Sequence, residues 1–271
     1  MKLFACMCNQ PQRLSAALAP VRSALVAEPP VTRWGMGYIQ GGDVLLVRTP
    51  KTSSVPVDLA GPLLEMSTDC VIAQATSDTK FAGTDNTPPF RFRRWLFAQT
   101  GTPDLDGATS RLLEHIPEYL RRNLKGRTPG ELFFHIFLSM LHDEGLIEDP
   151  NLPPQATRRA LAATLRLVSS ELEKAGVSGV PLGTVALSNG RSMVVARPAG
   201  QLQPLRLRKL WLTDDRGKPE HGPEAFRGVL LVSGNGGRGE GEPREGFEDV
   251  PANHAVLISR DLQFSLADLS P

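Results

Sequence analysis

The sequence predicts an α+β fold in which strands and helices occupy separate layers. Short apolar runs divided by turn residues fill the N-terminal part, helical periodicity fills the middle, and short apolar runs return towards the end. Strands, then helices, then strands is the order of segregated layers, whereas a parallel βαβ sheet alternates them.

The first strand is expected at residues 3–8, an apolar run ended by Asn9 and Pro11. Residues 34–38 and 44–48, separated by Gly41, Gly42 and Asp43, read as a hairpin with a Gly-Gly turn. Residues 71–75 and 95–99 are further strands, with a loop rich in Thr, Asp, Asn and Pro at 77–89. Asp106 is placed to cap a helix through Leu112, Leu113, Ile116 and Leu120, which Pro117 kinks or splits. Thr128, Pro129 and Glu131 form a sharper start signal: an N-cap, a proline at the first helical position and a glutamate to close a capping box. After a break at 149–154, Leu161, Leu165, Val168 and Leu172 recur at helical spacing up to Gly176. Strands are then expected at 185–187, 192–196, 207–212, 229–233 and 255–259, with a mobile loop at Gly234 to Gly246. We expect one domain over residues 1–271.

Composition removes several function classes. Thirty basic against twenty-nine acidic side chains leave a formal charge of +1, so no overall field draws the chain to nucleic acid or an anionic membrane. Three cysteines suit a reducing compartment better than a disulfide framework. No apolar run is long enough to span a bilayer, and the run ending at Cys6 is too short for a lipoprotein signal, so a cytoplasmic location is expected.

Individual motifs are weak. Cys6 and Cys8 face one side of a strand but have no further metal-ligand partner at suitable spacing, so they read as small core residues, as does Cys70. His115, His135, His142, His221 and His254 form no ligand motif; of the pair seven apart on one helix, one is expected in the core and one in solvent. Arg91, Arg93 and Arg94 among Phe90, Phe92 and Trp95 read as a half-buried strand rather than an RNA surface. The Gly-rich stretch from Gly234 lacks the Lys-Ser/Thr ending of a phosphate loop. No metal or cofactor is expected.

Several segments together resemble the class II glutamine amidotransferases, in particular the bacterial branch in which the glutaminase domain stands alone. The resemblance runs through Lys2, Leu3, Phe4 with Asn9 and Pro11, then Trp34, Gly35, Met36, Gly37, Tyr38, and Asn86, Thr87 with Phe90. It continues through Trp95, Phe97, Ala98, Gly101 and Thr102, the Thr128 to Glu131 cap, and a final segment from Phe247 to His254. This order implies the four-layer αββα sandwich of the N-terminal nucleophile hydrolases.

The same resemblance marks what is missing. It puts Met1 where the family has its nucleophilic cysteine, and a thioether has no proton to lose. Thr76 stands where an arginine clamps the glutamine carboxylate, and the arginine fork is what makes that clamp. Thr100 replaces the oxyanion-hole asparagine beside a retained Gly101, with Gln99 in place of the preceding histidine. Pro129 replaces the carboxylate implied to bind the substrate ammonium, while Thr128 and Glu131 keep the helix start. The expected remnant pocket is therefore Met1, Trp34, Gly35, Thr76, Thr100, Gly101 and Pro129, with no catalytic residue and no glutamine binding. We expect a folded pseudoenzyme that binds a protein partner or itself. A sensor of another small molecule and a divergent amide hydrolase using a trimmed Cys6 or Cys8 remain alternatives.

Overall fold

The structure, a computed structural model, describes residues 1–101, 105, 107–177, 183–201, 203–214, 216–234 and 246–270. In chain order the early strands are β1 (Lys2–Cys8), β2 (Val26–Ala27), β3 (Arg33–Gln40), β4 (Asp43–Thr49), β5 (Val57–Asp58), β6 (Cys70–Thr76), β7 (Phe90–Phe92) and β8 (Trp95–Gln99). The late ones are β9 (Val185–Ser188), β10 (Met193–Arg197), β11 (Leu205–Leu210), β12 (Gly228–Ser233), β13 (Glu248–Asp249), β14 (His254–Ile258) and β15 (Phe264–Asp268). The helices are α1 (Leu14–Leu18), α2 (Thr109–Glu114), α3 (Glu118–Arg121), α4 (Pro129–Asp143) and α5 (Pro154–Lys174).

Among the described residues, one seven-stranded sheet runs β13-β11-β12-β1-β6-β3-β4 and one six-stranded sheet runs β15-β14-β10-β9-β8-β7; β2 and β5 form a separate pair. Every ladder is antiparallel.

The β1 strand explains why the N-terminal run is apolar on both faces. Alternate side chains point to opposite sides of a strand. Leu3, Ala5 and Met7 meet Leu96, Ala98, Met193 and Val195 of the other sheet. Phe4, Cys6 and Cys8 pack instead with Leu14, Leu18, Val21 and Leu25 from the short helical segments after β1. On the far face of the six-stranded sheet, Phe97, Val185, Leu187 and Val194 pack with Phe133, Phe137, Leu161 and Val168 of α4 and α5. Phe97 stacks between Phe133 and Phe134, with ring centroids 5.8 and 5.1 Å away.

Local expectations hold where local chemistry decides. The β3–β4 hairpin closes through Gly41 and Gly42 at φ +62° and +89°, both in the left-handed region that a primed turn requires. Pro117 does divide the helical stretch, into α2 and α3, and Gly176 at φ +76° follows the end of α5. His135 is buried and His142 is exposed near the helix end. All three cysteines are buried.

Other expectations need correction. The Thr128 hydroxyl caps α4 by accepting from the Glu131 N–H at 3.2 Å, but Glu131 does not reach back to close the box. Its carboxylate turns to the preceding loop and accepts from the N–H groups of Lys125 at 3.0 Å and Gly126 at 2.7 Å. The strand expected at 207–212 is Leu205–Leu210, its ladder with β12 ending at the Leu210–Gly228 pair. The edge strand β15 escaped notice because most of it faces solvent and it carries no apolar run. Asp106 and residues 235–245 of the expected mobile loop lie outside the described residues.

Candidate functional site: the closed end of the sandwich

The register brings the N-terminus to the ends of two neighbouring strands. Lys2 pairs with Ala75 of β6, and Thr76, the next residue, pairs with Arg33 of β3. Met1, Arg33 and Thr76 therefore meet at one end of the seven-stranded sheet, where Gln99 ends β8 and Thr128 and Gly130 begin α4. Together they line a cavity of about 30 Å³, which admits no more than a water or two.

The cavity floor is a link between sheets. The Gln74 amide Nε2 donates to the Gln99 carbonyl at 2.6 Å, while its Oε1 accepts from the Gln99 N–H at 3.2 Å. The side-chain amide of Gln99 itself is buried with neither atom bonded to protein among the described residues. The helix start lies close by, since a Cβ added at Gly130 would stand 3.9 Å from Gln99 Oε1.

Arg33 is the cationic side chain of the cavity, beside the Met1 α-amine, and is only 4% exposed. Its Nη1 donates to the Asp78 carbonyl at 3.0 Å and its Nη2 lies 3.5 Å from the Asp78 carboxylate, leaving Nε without a partner among the described residues. Burial lowers the guanidinium pKa and Asp78 opposes that shift. The Thr76 hydroxyl, opposite Arg33, accepts from the Asp78 N–H at 3.1 Å and so holds the same turn.

Met1 reaches across to the neighbouring turn. Gly101, at φ +74°, donates its N–H to the Met1 thioether sulfur at 3.3 Å. Thr100 is fully buried and turned elsewhere: its hydroxyl accepts from the Thr184 N–H at 3.1 Å and from Gln201 Nε2 at 3.3 Å. Here the backbone crosses itself so tightly that a Cβ on Gly183 would collide with the Thr100 carbonyl.

Of the seven residues singled out from the sequence, Met1 and Thr76 line the cavity and Gly101 touches Met1. Trp34, Gly35, Thr100 and Pro129 do not line it. Trp34 packs at the margin of the core beside the short helices. Gly35 permits a close crossing, because a Cβ there would collide with the Pro88 carbonyl and stand 2.8 Å from that of Val47. Pro129 opens α4. Gln99, singled out from the sequence as a replaced histidine, does line the cavity, whereas Arg33 and Gln74 were not read as site groups; the available signal was a charged or amide side chain in or beside otherwise apolar strand residues.

The thiols offer no substitute nucleophile in this arrangement. Burial raises the Cys6 thiol far above its ordinary value and pushes Cys8 and Cys70 up to about 12. Among the described residues no group of His, Cys, Asp and Glu is arranged to hold a metal ion, and no helix is long and apolar enough to cross a membrane.

Comparison with protein-family models gives no match, and comparison with curated proteins gives none. Solved structures do match. A glutamine aminotransferase class-II domain protein from Silicibacter pomeroyi superposes with a TM-score of 0.60 at 17% identity over 100% of both chains. A "predicted glutamine amidotransferase" from Pseudomonas aeruginosa gives 0.58 at 14% identity over 96% of this chain and 98% of the other. Glutamine phosphoribosylpyrophosphate amidotransferase from B. subtilis gives 0.54 at 12% identity, matching 100% of this chain but 49% of that protein. At such identities the likeness establishes the fold: a mixed α/β structure with antiparallel sheets, shared with class II glutamine amidotransferase proteins.

Proposed function

We propose that this chain is a catalytically inactive, stand-alone class II glutamine amidotransferase-like protein of the cytoplasm, acting in protein–protein interaction or regulation. On this reading its two sheets and their helical covers form the four-layer αββα sandwich of the N-terminal nucleophile hydrolases. The observation that carries it is the 3.3 Å contact from the Gly101 N–H to the Met1 thioether. A side chain that cannot attack an amide stands at the nucleophile's position and occupies the donor that would face an oxyanion.

Three further features support the same reading. Thr76 replaces the clamp, the nearby Arg33 is engaged with Asp78, and the cavity between them is narrow, about 30 Å³. A retained fold without retained chemistry is suited to recognition, which needs no nucleophile.

The test is ammonia release from glutamine by protein whose N-terminus has been verified by mass spectrometry, with solution size and affinity capture measured in parallel. Release should not exceed the buffer blank, and a specific partner or self-association should appear. Release abolished by Cys6→Ala or Cys8→Ala would restore the amide hydrolase. A second reading, small-molecule sensing in the remnant pocket, is favoured by the unpartnered Arg33 Nε and Gln99 amide. It prevails if the protein is a monomer, captures nothing and is stabilised by one metabolite.

A further inference from the structure

At the other end of β1, about 20 Å from Met1 by strand rise, the sandwich carries a larger cleft. The Gly41–Gly42 turn, the residues before β6 and the turn between β9 and β10 enclose about 550 Å³, within the usual range for small-molecule sites. Its walls hold three guanidinium groups, those of Arg94, Arg191 and Arg260, against the single carboxylate of Asp69. A concave site with such an imbalance concentrates anions even when the whole chain carries a charge of only +1.

The arginines are not consumed by internal pairing. Arg191 is positioned by a 2.7 Å hydrogen bond to the neutral Asn151 Oδ1. Arg260 feels the charge of Asp69 but makes no direct hydrogen bond or ion pair among the described residues, and Arg94 makes none either. One acid therefore offsets part of the charge of three guanidinium groups, whose forks match a carboxylate or phosphate in geometry.

An independent observation comes from Asn189, which lines the same cleft and is only 3% exposed. Its Oδ1 accepts from the N–H groups of Arg191 at 3.0 Å and Ser192 at 2.9 Å. Those two donors fix which end of the amide is oxygen, so Nδ2 is a donor; it is shut off from the open cleft and has no protein partner among the described residues. Met7 and Ile39 supply an apolar part of the lining.

We propose that this cleft is a binding site for a small organic anion bearing a phosphate or carboxylate group. Arg94 and Arg260 grip the anionic group, Asn189 fixes the turn that carries Arg191 beside it, and the body of the ligand lies over Met7 and Ile39. The site lies apart from the cavity at Met1, so it stands whether or not that cavity binds anything.

The test is calorimetric titration and thermal shift of the intact chain at constant ionic strength. Probes are inorganic phosphate, adenosine 5′-monophosphate and citrate, with chloride and uncharged adenosine as controls. Saturable binding of at least one anionic probe is expected, and the three probes separate the phosphate from the carboxylate source. Arg94→Gln with Arg260→Gln should weaken it about tenfold or more, the usual scale for losing charge-assisted hydrogen bonds. Arg260→Gln alone, at an exposed position, serves if the double variant does not fold. The proposal is overturned if no probe binds beyond the chloride control. It is equally overturned if the arginine variants bind as the parent does, or if binding is lost in Arg33→Gln instead.

Discussion

The two ends of β1 present opposite solutions to the same geometry. At the Met1 end, side chains and backbone close on one another: Gln74 ties two sheets together, Met1 covers the Gly101 N–H, and about 30 Å³ remains. At the Cys8 end, glycine turns and arginines hold about 550 Å³ open. The difference teaches that one strand can end in tight packing at one side and in an open, charged space at the other. Substitutions should therefore disturb stability at one end and binding at the other.

The largest effect is expected at Gly183. Alanine there cannot be accommodated without moving the Thr100 backbone, so Gly183→Ala should cost about 3 kcal/mol or more or abolish soluble expression. Denaturant unfolding measures it, and a midpoint like that of the parent would show that the crossing is loose.

Gln74→Ala comes next. It strands the backbone N–H and C=O of Gln99 in a buried setting, each worth roughly 1–3 kcal/mol. A loss below 1 kcal/mol in the same assay would mean that water replaces the link and that this end is open.

Thr128→Ala should cost about 1 kcal/mol, the usual value of an N-cap. Because Glu131 does not complete a reciprocal box, Glu131→Gln should act through the Lys125 and Gly126 loop contacts rather than through the cap. Amide exchange of those two residues distinguishes the routes.

His135 adds a pH dependence. Its ring is buried beside Phe92 and Phe134, and burial holds its pKa below the ordinary imidazole value. The folded state thus binds the proton less readily than the unfolded state. The stability contribution is complete above the unfolded imidazole pKa of about 6.5 and is lost as pH falls towards the lower folded value. Midpoints measured between pH 7.5 and 5 should fall for the parent and fall less for His135→Phe.

The smallest effect is expected at the open end. Arg260→Gln removes an exposed side chain whose charge reaches Asp69 without a direct ion pair among the described residues, so unliganded stability should change by less than about 0.5 kcal/mol. A larger loss would show that the arginine is structural and would erase the contrast between the ends.

Much of this was legible in the residues themselves, and the reason is locality. Gly41 and Gly42 announce their turn because left-handed backbone angles favour glycine, and Pro117 divides a helix because it lacks a donor. Thr128 caps α4 because its hydroxyl needs only an N–H three residues away. The apolar run of β1 declares a strand buried on both faces. What decides the two sites is not local. That Arg33 faces Thr76 depends on strand register, and that Gln74 bonds Gln99 depends on how one sheet lies over the other. That Arg94, Asn189 and Arg260 line one cleft depends on three turns far apart in the chain meeting at one end of the sandwich. Composition and periodicity carry the propensities of neighbours, whereas register and sheet packing are settled only when distant segments bury their apolar faces together, and the chemistry of this protein lies in those distant pairings.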